Sequence, residues 1–231
     1  MSSPIALVTG ATGFVGSHLV DALRARDVAV RALVRPTSDV RRLGASGTEV
    51  VAPDFEDAAA VAAALERVRV VYHLAAATRA HDEAAYRRAN VGTTRVLMNA
   101  AATLPQPPRV VVLGSLAAVG PSFDGRPVAE DAPPRPLTAY GRTKLEAERV
   151  ALASPVVPVV VLRAPAVYGP RDRDLFTFFR LAALGIMPVP AGPDRAIQLI
   201  HVRDLVEALL RAGESDRRLR SREPLSTFEL D

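Results

Sequence analysis

Residues 5–9, Ile-Ala-Leu-Val-Thr, form an apolar run that leads directly into Gly10-Ala-Thr-Gly13-Phe-Val-Gly16, and apolar residues at helical spacing follow over 15–25. That succession constrains the fold more than any other stretch. Glycines at the bend allow a tight turn, and a helix starting there presents unpaired backbone N–H groups and a partial positive charge. Further apolar runs at 28–34, 49–52, 68–74, 109–113 and 156–162 have the length and valine-rich character of buried strands. Between them the spacing predicts helices over 58–66, over 83–103 as one long helix or a broken pair, and over 140–153. Strand and helix in alternation imply a parallel sheet with both faces covered, a doubly wound α/β fold.

Two stretches break this rhythm. Residues 121–137 are rich in Pro, Gly and acidic side chains, and read as a loop folding over one edge of a site. In 163–196, prolines surround a single apolar helix at 175–184, so this stretch does not continue the sheet. It reads as the start of a lobe on the substrate side. Residues 197–211 then return to a short strand and an amphipathic helix.

With 231 residues and 49% hydrophobic side chains, the chain can bury a full-sized core. Its formal charge of +4 is modest, its arginines are dispersed, and aromatics make up 5% with no Trp, so no nucleic-acid partner is expected. The absence of cysteine excludes disulfides and thiol catalysis, and no metal site is expected. No uninterrupted apolar run approaches the ~20 residues that span a bilayer. Nothing at the start resembles a signal peptide. The expectation is a cytoplasmic protein without a membrane partner.

One compositional detail points to chemistry. Of 29 Lys and Arg side chains the single lysine is Lys144, four residues after Tyr140 in Tyr140-Gly-Arg-Thr-Lys144. On a helix, positions i and i+4 share a face. A neighbouring ammonium favours phenolate, so the spacing predicts a tyrosine pKa lowered from about 10 and a usable general acid/base.

The glycine turn after the first strand suits a pyrophosphate, which the close backbone and the helix N-terminus would both favour. At the end of the second strand, where an acidic residue would accept from a ribose 2′-OH, the chain has Arg35. A guanidinium pairs with a 2′-phosphate, which favours NADP over NAD, with NAD still possible. The nearest carboxylate, Asp39, follows Pro36-Thr-Ser and comes too late to take that place.

Taken in order, Thr9-Gly-Ala-Thr-Gly-Phe-Val-Gly16, His73-Leu-Ala-Ala76, Ser115, Tyr140-x-x-x-Lys144 and Arg163-x-Pro165-x-Val167-Tyr-Gly169-Pro170 resemble the short-chain dehydrogenase/reductase superfamily, in its extended epimerase/dehydratase branch. The resemblance implies a Rossmann core, a nicotinamide cofactor and hydride transfer at a carbonyl or secondary alcohol. It gives Tyr140 the role of proton donor or acceptor, Lys144 that of holding the nicotinamide ribose, and Ser115 that of orienting the reacting oxygen. It places Gly10, Thr12, Gly13, Phe14, Val15 and Gly16 at the dinucleotide, with Arg35. Asp54 would meet the adenine amino group, with the Phe55 backbone beside it. Leu74, Ala75 and Ala76 would line the adenosine and ribose, and Pro165 and Val167 the nicotinamide. His73 and Asn90 are expected to brace the strands. The implied organisation is a Rossmann domain over 1–166 and 197–213, a partial substrate lobe over 167–196, and a mobile tail over 214–231.

The chain also departs from the family pattern. Many members have serines before the reacting one, where this chain has Gly114. Ala166 stands where nucleotide-sugar enzymes often carry asparagine, and Ala32-Leu-Val-Arg35-Pro-Thr-Ser38 is similar to the dihydroflavonol-reductase-like branch, which acts on bulkier, less polar molecules. Members usually continue for about another hundred residues, which complete the substrate lobe. The first reading is therefore an NAD(P)-dependent oxidoreductase or epimerase acting on a small molecule, and as a family member it is expected to form a homodimer through 83–103 and 140–153. The alternative is an NADP-binding redox sensor with little turnover.

Overall fold

The computed structural model describes residues 5–55, 57–123, 126–186 and 197–214. Six parallel strands form one sheet: β1 (Ile5–Thr9), β2 (Ala29–Leu33), β3 (Glu49–Val51), β4 (Val68–His73), β5 (Arg109–Ser115) and β6 (Val159–Ala164), in the order β3-β2-β1-β4-β5-β6. This is the doubly wound Rossmann order, and its direction reverses between β1 and β4. Side chains alternate across the sheet with period two. Ala6 and Val8 of β1, Tyr72 of β4 and Val111 of β5 enter one apolar cluster, while Leu7, Val71, Val110 and Val112 enter the other.

Helices cover both faces. On one side α1 (Phe14–Arg24) and α8 (Val202–Glu214) bury Leu19, Leu23, Leu205 and Leu209, and α2 (Arg41–Ala45) adds Leu43. On the other lie α3 (Ala58–Ala64) and α5 (Thr93–Ala102), which contribute Val61, Leu97 and Met98, with Ala151 from α6 (Ala139–Leu152). Caps fix two of the starts: Asp57 accepts from Ala59 and Ala60 N–H, and Thr138 from Gly141 N–H.

Several expectations need adjusting. The stretch 83–103 is α4 (Glu83–Arg87), a π turn (Arg88–Gly92) and α5 in succession, so it is a single helical path with a wide turn in the middle. β6 begins at Val159, three residues later than expected; Pro158, without an N–H, precedes it and offers only its carbonyl to Val110. α2 and β7 (Ala166–Tyr168) were not anticipated. β7 pairs in parallel with β8 (Leu199–His201) in a separate two-stranded sheet, and the expected domain boundary at 166/167 falls inside it. The expected apolar helix is present as α7 (Phe176–Ala183).

The segment after β7 is fastened to α1. Arg171, at φ 74°, donates to Ser17 Oγ at 3.1 Å and pairs with Asp21 Oδ2 at 2.7 Å, while a ring nitrogen of His18 lies 2.8 Å from the Pro170 carbonyl. Residues 187–196 and 215–231, and with them the last third of the expected lobe and nearly all of the expected tail, lie outside the described residues. Among the described residues no helix is long and apolar enough to cross a membrane, and no group of three or more potential ligands could hold a metal ion.

Candidate active site

The expected site residues come from separate elements, yet they share the edge where the parallel strands end. Gly10 follows β1, Arg35 follows β2, Asp54 and Phe55 follow β3, Leu74 to Ala76 follow β4, Ser115 closes β5, and Pro165 and Val167 follow β6. Ligands of open α/β sheets lie at this edge, beside the point where the strand order reverses.

At the first turn the backbone passes very close to β4. Gly10 has φ +70°, and a Cβ there would sit 2.8 Å from the Ala75 nitrogen. A Cβ on Gly16 would overlap the Gly10 carbonyl. Gly13 opens α1 in an extended conformation, with no side-chain cap and no acidic residue in the first turn. The helix therefore offers its N-terminal N–H groups to a ligand, and Thr12 and Gly13 are exposed beside them. A dinucleotide pyrophosphate fits this cradle. Arg35 is exposed and takes part in no ion pair among the described residues. Asp39 is drawn away to Arg41, 2.5 Å from its guanidinium, and that hydrogen bond holds the Asp39 carboxyl down at about 2. Asp54 is exposed and Phe55 half-buried.

Ser115 and the start of α6 meet across β5. The Ser115 hydroxyl accepts from Ala117 N–H at 3.1 Å and lies near enough to the Tyr140 hydroxyl to favour its ionised form. Tyr86, from α4, places its ring 6.0 Å from that of Tyr140. Lys144 is buried, with 6% of its surface exposed, and donates to the Leu113 carbonyl at 2.6 Å. Burial pulls its ammonium down to about 8, although Glu148 counters the effect. For Tyr140 the expected direction is overturned: burial raises the phenol above its ordinary value, and the Ser115 hydroxyl only partly offsets this. The i,i+4 spacing put the two groups on one face, but burial outweighs the effect of a charge one turn away.

Behind these groups runs a polar chain that the motifs only hinted at. Thr9 Oγ1 lies 2.9 Å from His73 Nδ1 and accepts from the Leu74 and Ala75 N–H groups, so it donates to the imidazole. His73 Nε2, 2.9 Å from Thr94 Oγ1, is then the protonated nitrogen, because the Thr94 hydroxyl already donates to the Asn90 carbonyl. Asn90, in the π turn, accepts from Ala77 N–H at 2.7 Å and donates to Thr143 Oγ1 at 3.1 Å, and Thr143 in turn donates to the Tyr140 carbonyl. Thr9 opened the glycine motif without an assigned role, and Thr94 and Thr143 carried no signal in the sequence beyond being polar positions on apolar faces. The loop 121–137 returns to this edge through Arg135, whose N–H bonds the Val119 carbonyl at 2.7 Å. A cleft of about 350 Å³ between α1 and α8, lined in part by His18, Asp21, Arg26 and Glu207, shares no residue with this set.

Residues 6–225 match the NAD dependent epimerase/dehydratase family. The chain is 34% identical, over 96% of its length, to the sterol demethylase protein B of Methylococcus capsulatus, of which it covers 69%. It is also 34% identical to the 4-hydroxy-2-methyl-3-oxo-4-farnesyl-3,4-dihydroquinoline-1-oxide ketoreductase of Stigmatella aurantiaca; 71% of the chain aligns, and it spans about half, 51%, of that relative. Among solved structures, MoeE5 in complex with UDP-glucose and NAD superposes with a TM-score of 0.75 at 34% identity, covering 90% of this chain and 71% of that one.

Proposed function

The chain belongs to the NAD dependent epimerase/dehydratase family, and from that premise we propose that it is an NAD(P)-dependent oxidoreductase or epimerase whose proton donor or acceptor is Tyr140. The observation that carries this reading is the meeting of Tyr140, Ser115 and Lys144 at the strand ends, beside a glycine cradle that fits a pyrophosphate. A bound nicotinamide would supply or take up the hydride. Gly10 to Gly16 would hold its pyrophosphate, Leu74 to Ala76 the adenosine and ribose side, Asp54 and Phe55 the adenine, and Lys144, Pro165 and Val167 the nicotinamide ribose and ring.

Tyr140 and Ser115 would bind the substrate oxygen together. Ser115 orients it with a fixed hydroxyl, and Tyr140 delivers or removes the proton as charge develops there. Burial holds the phenol in its protonated form, the form that can give a proton to a carbonyl oxygen. For the cofactor we favour NADP, since Arg35 is exposed at the end of β2 and the nearest carboxylate is engaged by Arg41. Homodimerisation through α4, α5 and α6 and a cytoplasmic location belong to the same reading, and the mass in solution tests the dimer.

The deciding experiment is cofactor-coupled turnover of a panel spanning bulky apolar ketones and nucleotide sugars, the two substrate kinds named among the relatives. Tyr140→Phe should lower kcat by about 10²- to 10⁴-fold while cofactor binding survives. Tight binding without turnover of any panel member would instead favour a sensor. Titrating NADPH and NADH against Arg35→Ala tests the cofactor: the variant should weaken NADPH alone, and equal affinities unchanged by the substitution would refute NADP.

A further inference from the structure

Glu148 stands one turn beyond Lys144, as Lys144 does beyond Tyr140, so three ionisable side chains line one stripe of α6 at i, i+4 and i+8. Only 1% of Glu148 is exposed. Its Oε2 accepts from Arg163 Nε, on β6, at 2.9 Å, whereas Oε1 has no hydrogen-bond partner of ordinary geometry. Oε1 lies against Gly114, where a Cβ would come within 2.6 Å of it. A carboxylate fits at this depth because β5 has a glycine at that point.

Two consecutive residues before Ser115 are thus gripped from α6 by opposite charges. The Lys144 ammonium takes the Leu113 carbonyl, and the Glu148 carboxylate packs on Gly114. Burying such a carboxylate contributes little to stability, since well-packed apolar groups in place of a buried ion pair usually do as well or better. A charge kept there at that cost has an electrostatic use, and its neighbour on the helix is the lysine of the site.

We propose that Glu148 is a positioning residue for the reaction: its buried carboxylate keeps the Lys144 ammonium charged and holds the end of β5 that carries Ser115. The inference rests on the reading of Lys144 as part of the site. The titratable groups that act on Lys144 are Glu148 from its own helix and His73 from β4; Arg163 of β6 reaches Glu148, and Tyr86 of α4 reaches Tyr140, one turn before Lys144. The other ion pairs of α6, Arg142 with Glu83 and Glu146 with Arg87, involve more exposed side chains directed at α4. His73 is buried and neutral, so among the described residues Glu148 is the one anion acting on the ammonium.

The composition of the chain makes the test direct. Lys144 is its only lysine, so the full chain labelled with [ε-13C]lysine gives a single side-chain signal, whose titration is read without substrate or cofactor. In the unaltered protein the midpoint should lie near 8. Glu148→Gln should lower it by about one pH unit or more, the size expected for loss of a close opposite charge. Glu146→Gln, which removes a partly exposed carboxylate of the same helix that pairs with Arg87, should not lower it. A Glu148→Gln midpoint within about 0.3 of the original, or an equal fall in both variants, overturns the proposal. Should Glu148→Gln fail to fold with Arg163 stranded, Glu148→Gln combined with Arg163→Met is titrated in its place, with the same expected fall and the same refuting result. Once a turnover assay exists, the loss of kcat with rising pH should move with the lysine midpoint. A shifted midpoint with an unshifted kcat profile refutes the positioning role and leaves the assignment of Tyr140 intact.

Discussion

His73 shows how a single side chain can set the response of the protein to acid. It sits between two threonine hydroxyls with its proton on Nε2, and burial, assisted by the Lys144 charge, pushes its pKa down to about 3. In the unfolded chain the ring would titrate near 6.5. Between those values the unfolded state binds the extra proton, so the stability this group leaves intact above pH 6.5 is lost as pH falls toward 3. The loss is on the order of 5 kcal/mol at its limit. Urea unfolding at pH 7 and pH 4 should show a much steeper decline for the protein than for His73→Gln, which starts lower but carries no titrating ring. Parallel declines would mean that His73 does not stay neutral. The sequence announced His73 and Tyr140 as positions, but not their charge states. Spacing reports which residues share a face, whereas a pKa depends on how much water the finished fold removes, and so the direction for Tyr140 came out reversed.

At the level of elements, the π turn between α4 and α5 is the piece with a specific task. Its wide turn carries Asn90, whose amide holds both the N–H and the carbonyl of Ala77 and reaches Thr143 on α6. Asn90→Ala leaves these groups unpaired in a buried setting, so it should cost about 2–3 kcal/mol in chemical unfolding. Helix content by circular dichroism should hardly change, because α4 and α5 keep their own ladders. The long strands and helices were readable because continuous apolar runs in β1, β4 and β5, and helical spacing in α1 and α8, extend over several residues. A five-residue α2 and a three-residue β7 are too short to leave a period. No residue pattern marks a π turn either, since side-chain bonds to Ala77 and Thr143, distant in sequence, hold Asn90 in place. Glu148 was equally open to view as the next step of the Tyr140–Lys144 spacing, yet nothing in the sequence shows that Gly114 lies opposite to admit it.

The whole molecule is two apolar layers separated by a sheet. Leu209 belongs to the layer of α1 and α8, and Leu97 to that of α3, α5 and α6; both are fully buried. Each Leu→Ala change should cost about 3 kcal/mol, and because no cavity or partner is shared, the double variant should lose the sum to within about 0.5 kcal/mol. A clear excess or deficit would show that the layers communicate through the sheet. The same architecture also has a consequence in time. Every strand pair is parallel, so no two neighbours in the sheet are joined by a hairpin, and the clamp between Thr9 and His73 closes across 64 positions of chain. Contacts of that span form late, because the intervening chain must be ordered before they can hold. Helices will therefore return early in refolding from denaturant, and the residues around Tyr140 will become a working site only in the last phase.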